Sequence, residues 1–297
     1  MILKEMDSKK DLLDYLRYRF SNTKNKNIKQ KILHEVVMIK NGSNAEKGNA
    51  YYLDFDLKDS KHFIVLHDIR IEYNGRTAQI DHILISRGGI HILESKSVKN
   101  GTLKINKDDS IEIQYNKYKK VTLPSPIEQN RRHKRVIHDF IKDKVELPWN
   151  IRLFGGVEIE TLVLIHPNTN VYNYILPNGY IKADQFIKKY HSDVDKETPV
   201  AMFKFVSKFL TKESRVKIAE ALISSHTPID YAAKMRDENI QNVKQCPRCK
   251  IGTLEKKSIK NKKYIGRYEN DDFFGCSTYP KCRYTSALKW ENKISLF

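Results

Sequence analysis

The stretch Gln79–Lys96, QIDHILISRGGIHILESK, determines the predicted fold. Its two apolar runs flank Ser-Arg-Gly-Gly, and because glycine supplies the positive φ that two-residue turns require, the stretch predicts a β-hairpin. Side chains alternate between the two faces of a strand, so Glu94 and Lys96 project together. A two-residue loop at 87/88 or 88/89 places Asp81 opposite Glu94 or Lys96, and either register gathers all three on one face.

These three charged side chains have a simpler interpretation, a surface ion pair on the solvated face of an antiparallel sheet. Both strands are apolar almost throughout, however, as in a sheet that is covered on both faces. Charged groups on such strands are costly to bury unless they pair with each other or bind a cation. The pattern therefore favours a cleft with a cation site over an open surface.

The composition favours a polyanionic partner. The chain has 297 residues, and 54 Lys and Arg against 36 Asp and Glu give a formal net charge of +18. Nucleic acid is the first partner to consider for such a surface, and an anionic membrane is the second. No apolar stretch approaches the roughly 20 residues that span a bilayer, and the N-terminus lacks the apolar core of a signal peptide, so we expect a cytoplasmic protein.

The remaining pattern predicts an α/β arrangement. Strands are predicted at residues 62–73, 77–86, 90–97, 102–105, 110–115 and 161–166. Helical spacing occurs at residues 10–19, 27–40 and 183–242, and Ser125 is the N-cap of a helix that continues to about Lys144. Ser43 and Glu46 have capping-box spacing, which predicts a separate helix from there to about Leu57.

Two of these helices are predicted to direct polar side chains toward the sheet. Glu46 lies on the apolar stripe of the first, although it could simply cap its own helix. Gln129 lies on the apolar face of the second. Arg131 and Arg132 flank that face and could contact phosphates, or they could form a solvated basic surface.

Four short motifs occur in a characteristic order: GSNAE at 42–46, QIDH at 79–82, GIHILESK at 89–96 and PIEQ at 126–129. Together they resemble the nuclease-related domain, NERD, over roughly residues 40–168. That family is placed in the PD-(D/E)XK restriction-endonuclease-like superfamily. The resemblance implies a restriction-endonuclease-like mixed sheet flanked by helices, and a phosphodiester hydrolase.

The resemblance also implies a role for each matching residue. Asp81 and Glu94 would be metal-binding carboxylates and Lys96 the catalytic lysine. Glu46 would match the acidic residue carried by a helix, as a further metal ligand, and Gln129 the polar residue of the later helix. Carboxylates are the hard oxygen ligands that Mg²⁺ prefers, and Mn²⁺ is the alternative ion.

Ser95 departs from the commonest form of the motif, since many relatives carry Thr there. The position would contribute a backbone carbonyl to the metal, so we expect the change to be harmless. For Lys96 we favour an electrostatic role over proton acceptance, because neighbouring carboxylates favour its protonated form.

All four cysteines lie in the last 52 residues, as Cys246, Cys249, Cys276 and Cys282. Four thiolates would complete the tetrahedral shell of one structural Zn²⁺ and leave no position for a substrate. Four free cysteines in a disordered tail are the alternative.

The string GCSTYPKC at 275–282 resembles the C-terminal zinc ribbon of bacterial type I DNA topoisomerases, which implies single-stranded DNA binding and places contacts at Phe274 and Tyr279. Further aromatic residues, including Tyr264, Tyr268 and Trp290, interleave with the basic residues, as stacking of bases along a phosphate backbone requires. Some of these rings must instead form the small core of the ribbon.

The predicted organisation has four parts: a basic helical lead-in at 1–40, a nuclease-like domain at 41–168, a helical extension packing on it at 169–240, and a four-cysteine zinc ribbon at 241–297. The predicted function is a metal-dependent DNA endonuclease or nickase, to which a helicase or another DNA-processing protein could couple. A catalytically inactive DNA-binding adaptor, an RNA-processing nuclease and a membrane-surface protein are the alternatives; we expect DNA rather than a membrane as the partner.

Overall fold

The fold was analysed in a computed structural model, which describes residues 1–115, 120–173, 175–195, 209–234, 246–258 and 272–287. Contacts divide the chain into two units. The first unit contains Met1–Ser8 and Met38–Pro228, and the second contains Lys9–Val37 and Ile229–Phe297. None of the helices in the described ranges is long and apolar enough to cross a membrane.

The first unit holds ten of the strands. In chain order they are β1 (Ile2–Lys4), β2 (Ile64–Tyr73), β3 (Arg76–Ser86), β4 (Gly89–Lys96), β5 (Thr102–Ile105), β6 (Ile111–Gln114), β7 (Lys120–Leu123), β8 (Ile159–Ile165), β9 (Asn170–Val171) and β10 (Tyr180–Lys182). The helices are α1 (Lys10–Asn22), α2 (Lys26–Leu57), α3 (Pro126–Lys144), α4 (Trp149–Leu153), α5 (Phe186–Asp195) and α6 (Lys212–Ser224). Helix α1 belongs to the second unit, and α2 begins there and ends in the first.

The main sheet has six strands in the order β1-β2-β3-β4-β8-β10. Strands β2, β3 and β4 form an antiparallel meander, whereas β1, β8 and β10 pair in parallel with their neighbours. A second sheet has the order β7-β6-β5-β9. The predicted mixed α/β class is therefore confirmed.

Two tight turns set the register of the meander. In the β2–β3 turn, both Asn74 and Gly75 have positive φ, the geometry that type I′ turns require. In the β3–β4 turn, Ser86 pairs with Gly89, which selects the loop at 87/88. This is the first of the two predicted registers, and it places Asp81 opposite Glu94.

Helices cover both faces of the central strands, as the continuous apolar runs predicted. On one face, α3 and α6 pack on β2, β3, β4 and β8 through residues that include Ile83, Ile92, Ile137 and Leu222. On the other face, Leu53 and Leu57 of α2 and Phe186 of α5 pack on Leu84 and Leu93. Burying each such side chain contributes about 1.5–3 kcal/mol, so the strands are fixed from both sides.

The predicted helix start at Ser43 is wrong. Helix α2 runs without a break from Lys26 to Leu57, so Ser43 lies inside it and Glu46 does not cap a helix terminus. Gly42 costs about 1 kcal/mol in a helix interior. Burial of Leu53 and the hydrogen bond from Asn49 Nδ2 to the Leu164 carbonyl (3.2 Å) favour the continuous helix and offset that cost.

The second unit contains an antiparallel sheet of three short strands, β11 (Leu254–Ser258), β12 (Asp272–Cys276) and β13 (Thr285–Ala287), in that order. Gly252 precedes β11, and a Cβ atom there would lie 2.7 Å from Cys276 Sγ. Glycine is therefore required for the close approach of this loop to the cysteine at the end of β12.

Candidate functional site

The three charged residues of the hairpin meet at the carboxyl end of β4. The backbone N–H of Ser95 donates to Asp81 Oδ2 (2.7 Å), and Lys96 Nζ donates to Glu94 Oε1 (2.6 Å). The side chain of Glu94 is 5% exposed and that of Lys96 is 24% exposed. The Glu94–Lys96 ion pair is therefore largely buried, unlike the alternative of an ion pair on an open surface.

Two helices add polar side chains to this group. Gln129 lies in the first turn of α3, which Ser125 caps as predicted, and its Nε2 donates to Glu94 Oε2 (2.9 Å). Glu46, on α2, lies close enough to Asp81 to change its titration. We call the five side chains of Glu46, Asp81, Glu94, Lys96 and Gln129 the acidic cluster.

The acidic cluster carries more negative than positive charge. Burial raises the pKa of Asp81 well above its ordinary value, and the charges of Glu94 and Glu46 raise that pKa further. The Ser95 N–H and the Lys96 ammonium group act in the opposite direction. Three carboxylates therefore lie near one ammonium group, and carboxylate oxygens are ligands that Mg²⁺ prefers. Among the described residues, however, only the four cysteines of the second unit form a group of three or more possible metal ligands within 4.8 Å of one another.

A buried hydrogen-bond chain lies behind β4 and was missed in the sequence. His67 Nε2 contacts Asp54 Oδ1 (2.9 Å), His67 Nδ1 contacts His82 Nδ1 (2.7 Å), and His82 Nε2 contacts Ser95 Oγ (2.8 Å). Both imidazole rings are fully buried. We call these four residues the Asp54–Ser95 chain.

In the Asp54–Ser95 chain, each histidine nitrogen can be a donor or an acceptor, depending on the tautomer of the ring. A carboxylate only accepts, so His67 Nε2 donates to Asp54 Oδ1. Burial, and then His67, hold the pKa of His82 well below its usual value, so His82 is neutral.

His133 is a second residue that was not predicted to belong to the site. It lies one turn after Gln129 on α3, and its Nδ1 is buried without a hydrogen-bond partner among the described residues. Burial lowers the pKa of His133, while Glu94 raises it and Arg132 and Lys96 lower it. The ring therefore adjoins the acidic cluster, and its spacing from Gln129 was the sequence signal that could have identified it.

The predicted DNA contacts are partly exposed. Arg131 and Arg132 lie on the outer face of α3, where Arg131 Nε donates to Glu128 Oε2 (2.8 Å). Tyr279 is 64% exposed, with the Lys257 ammonium group 6.0 Å from its ring centroid, whereas Phe274 is half-buried in β12. Tyr264, Tyr268 and Trp290 lie outside the described residues.

The four cysteines form a compact cluster in the second unit. Their Sγ atoms all lie within 4.8 Å of one another, with Cys246–Cys282 and Cys249–Cys276 separations of 3.6 Å. Four ligands at about 2.3 Å from a tetrahedral zinc lie about 3.8 Å apart, so the spacing fits one metal ion. Backbone N–H groups of Gly252 and Ile251 lower the pKa of Cys249 to about 6, which favours the thiolate that metals bind.

Comparison with known proteins agrees with this geometry. Residues 41–166 match the family model of the nuclease-related domain, NERD, and this range contains the whole acidic cluster. No family model matches the predicted topoisomerase-type zinc ribbon, for which the four-cysteine cluster is the structural finding. No curated protein and no solved structure matches the chain. The chain therefore contains a nuclease-related domain with a nuclease-like mixed fold.

The raised pKa of Asp81 predicts how stability depends on pH. A carboxyl group with a raised folded-state pKa loses stability as pH rises from its ordinary value of 3.8 through the folded-state value. In EDTA at pH 7, Asp81→Asn should therefore unfold at a temperature at least as high as wild type, and the difference should vanish near pH 4. Mg²⁺ should then stabilise wild type and not the variant. A variant that is less stable than wild type only at pH 7 would contradict this.

The Asp54–Ser95 chain predicts unequal effects of two substitutions at one position. Ser95→Ala leaves His82 Nε2 buried without its hydrogen-bond partner Ser95 Oγ and should cost about 1–3 kcal/mol of unfolding free energy. Ser95→Thr keeps the hydroxyl group and should cost less. Urea denaturation of the two variants measures the difference, and equal losses would show that the hydroxyl group is not needed.

Proposed function

We propose that this protein is a Mg²⁺- or Mn²⁺-dependent DNA endonuclease or nickase. The observation that carries the proposal is the meeting of Asp81, Glu94 and Lys96 in one partly buried cluster within a nuclease-related domain. One hairpin, β3–β4, carries all three, Gln129 of α3 contacts Glu94, and the charge imbalance supports a cation site. Net charge of +18 supports a polyanionic substrate.

The proposed metal ligands are Asp81, Glu94, Glu46 and the carbonyl oxygen of Ser95. A divalent cation at this place would make a water molecule more acidic and neutralise charge on the phosphoryl oxygens. The Ser95 N–H fixes one carboxylate oxygen of Asp81 and leaves the other free. Gln129 likewise fixes Glu94 through Oε2, so each carboxylate is oriented before substrate arrives.

Lys96 would stabilise the transition state electrostatically. Hydrolysis of a phosphodiester builds negative charge on the phosphoryl oxygens, and a preoriented cation stabilises that charge. The Lys96 ammonium group is held by Glu94 at 2.6 Å and remains partly exposed, so it can reach a phosphate at the cleft. Arg131 and Arg132, on the outer face of α3, would contact neighbouring phosphates.

The second unit would bind DNA through a structural Zn²⁺ module. Cys246, Cys249, Cys276 and Cys282 would hold the ion, and the exposed ring of Tyr279 beside Lys257 supports base stacking. Phe274, half-buried in β12, would contribute a further contact. This module would bring single-stranded DNA to the protein in the cytoplasm, where a helicase or another DNA-processing protein could supply the strand.

Plasmid cleavage tests the nuclease proposal. Wild type should nick or cut supercoiled DNA in Mg²⁺ or Mn²⁺ and not in EDTA, while Asp81→Asn and Lys96→Ala should be at least about 100-fold slower. Lys142→Ala, which changes an exposed lysine near the far end of α3, should cleave like wild type. Equal cleavage by all four proteins would indicate a contaminant.

Two further outcomes would replace the proposal. DNA binding without cleavage by wild type would indicate a DNA-binding adaptor. Faster cleavage of RNA than of DNA would indicate an RNA-processing nuclease.

Metal analysis tests the zinc module. Wild type should contain one zinc per chain, and Cys276→Ser should lose zinc together with affinity for single-stranded DNA, because so short a segment folds around its metal. Lys281→Ala, an exposed change beside Cys282, should retain zinc. A wild-type protein without bound metal after purification in zinc-supplemented buffer would contradict the module.

A further inference from the structure

A basic pocket of about 970 Å³ lies in the first unit, between β9, β10 and α5. Its wall includes the three lysines Lys182, Lys188 and Lys189, and none of its described lining residues is acidic. The match to the nuclease-related domain ends at residue 166, so the pocket lies outside it. We call this feature the lysine pocket.

The register of the main sheet places Lys182, in one wall of the lysine pocket, near Lys96 of the acidic cluster, while Lys188 and Lys189 come from α5, which packs on the opposite face. Lys96 of β4 pairs with Ile165 of β8, and Ile165 pairs with Lys182 of β10. Paired residues on neighbouring strands project to the same face, so Lys96 and Lys182 share one face at the carboxyl ends of three parallel strands. Two strand spacings separate their Cα atoms, about 10 Å. Ligands of α/β sheets commonly bind at this end of the strands.

Lys182 is held in a fixed position at the wall of the pocket. Its Nζ donates to the carbonyl oxygens of Thr169 (2.7 Å), Pro167 (3.2 Å) and His166 (3.4 Å). Burial lowers the pKa of Lys182, and the nearby charge of Asp184 opposes that effect. Lys182 therefore forms part of the wall of the pocket and also holds the loop at 166–169 in place.

Lys188 and Lys189 supply the solvent-facing charge of the pocket. Both are exposed on α5, and Lys189 also interacts electrostatically with Glu160 of β8. Their ammonium groups can therefore reach a ligand that lies along the pocket. The lining combines apolar residues such as Val171, Leu176 and Ile181 with these cationic groups, and a phosphate backbone requires such cations.

An exposed aromatic ring stands at the edge of the pocket. Tyr172, which follows the lining residue Val171, is 72% exposed, and its backbone N–H donates to the Leu103 carbonyl (2.8 Å). The Lys104 ammonium group lies 5.5 Å from its ring centroid. An anchored, exposed aromatic ring next to cations is the arrangement on which single-stranded bases stack.

We propose that the lysine pocket binds the single nucleic-acid strand next to the phosphate that is cleaved. Lys188 and Lys189 contact its phosphates, and Tyr172 stacks on a base. The inference rests on the proposed function for its orientation toward the scissile phosphate, but it assigns residues outside the nuclease-related domain.

Binding of a fluorescent single-stranded oligonucleotide to the full chain in EDTA tests the pocket. The pair Lys188→Gln and Lys189→Gln should weaken binding about tenfold and reduce the slope of log K against log salt by about 1.4, or 0.7 for each phosphate that the variant no longer neutralises. The control pair Lys142→Gln and Lys144→Gln removes the same charge from exposed positions near the far end of α3. It should leave affinity within twofold and the slope unchanged.

Tyr172→Ala separates stacking from charge. It should weaken binding at least fivefold without changing the salt slope, because loss of one stacked base costs about 1–3 kcal/mol. Photocrosslinking of an oligonucleotide containing 5-bromodeoxyuridine should mark the peptide that carries Tyr172 in wild type. Unchanged melting temperatures would exclude misfolding of the variants as the cause.

The outcomes distinguish this inference from the nuclease proposal. If wild type cleaves nucleic acid while the pocket pair and the control pair agree in affinity, salt slope and KM, and crosslinks fall only in the second unit, the inference is overturned. If wild type does not cleave but the pocket pair alone weakens binding and Tyr172 is crosslinked, the nuclease proposal fails and the pocket stands as a binding site.

Discussion

The hydrogen bond from the Ser95 backbone N–H to the Asp81 carboxylate is the contact on which the candidate site depends. Regular pairing of β3 with β4 extends as far as His82 and Leu93. Beyond that pair, the hydrogen bond between Ser95 and Asp81 links the two strands. It therefore keeps Asp81 next to Glu94 where the two strands diverge. Mutual repulsion of the carboxylates and their burial oppose this arrangement, and the backbone donor and the ammonium group of Lys96 act against both.

Alternation along β4 connects two polar systems that lie on opposite faces of the sheet. Glu94 and Lys96 face the acidic cluster, while Ser95 between them faces the buried imidazole rings of His82 and His67. Ser95 thus contacts the acidic cluster through its backbone N–H and the Asp54–Ser95 chain through its hydroxyl group. The expectation that Ser in place of Thr is harmless agrees with this arrangement for a different reason: both residues carry the hydroxyl group that the chain uses.

Local patterns predicted the central hairpin, two possible registers for it and helix α3, because glycine turns, unbroken apolar runs and an N-cap serine act within a few residues. Burial against the sheet overrode the capping pattern at Ser43, which no local rule reveals. The short strands β1, β7, β9 and β10 have two to four residues and show no periodicity. The Asp54–Ser95 chain was not predictable since each of its bonds joins residues 13 to 15 positions apart, and only folding decides which buried histidines meet.

Groups of oxygen atoms come together at two neighbouring places on the same edge of the sheet, around Lys182 and near Asp81. The negative charge of the oxygen atoms is balanced in a different way at each place. Around Lys182, three carbonyl dipoles surround an ammonium group that the chain itself supplies, so the loop at 166–169 keeps its internal counterion whatever the solution contains. The carboxylates near Asp81 have only a partial internal counterion, the Lys96 ammonium group, and the proposed divalent cation would supply the rest. Chelation of divalent cations should therefore make the acidic cluster more mobile and leave the loop at 166–169 rigid.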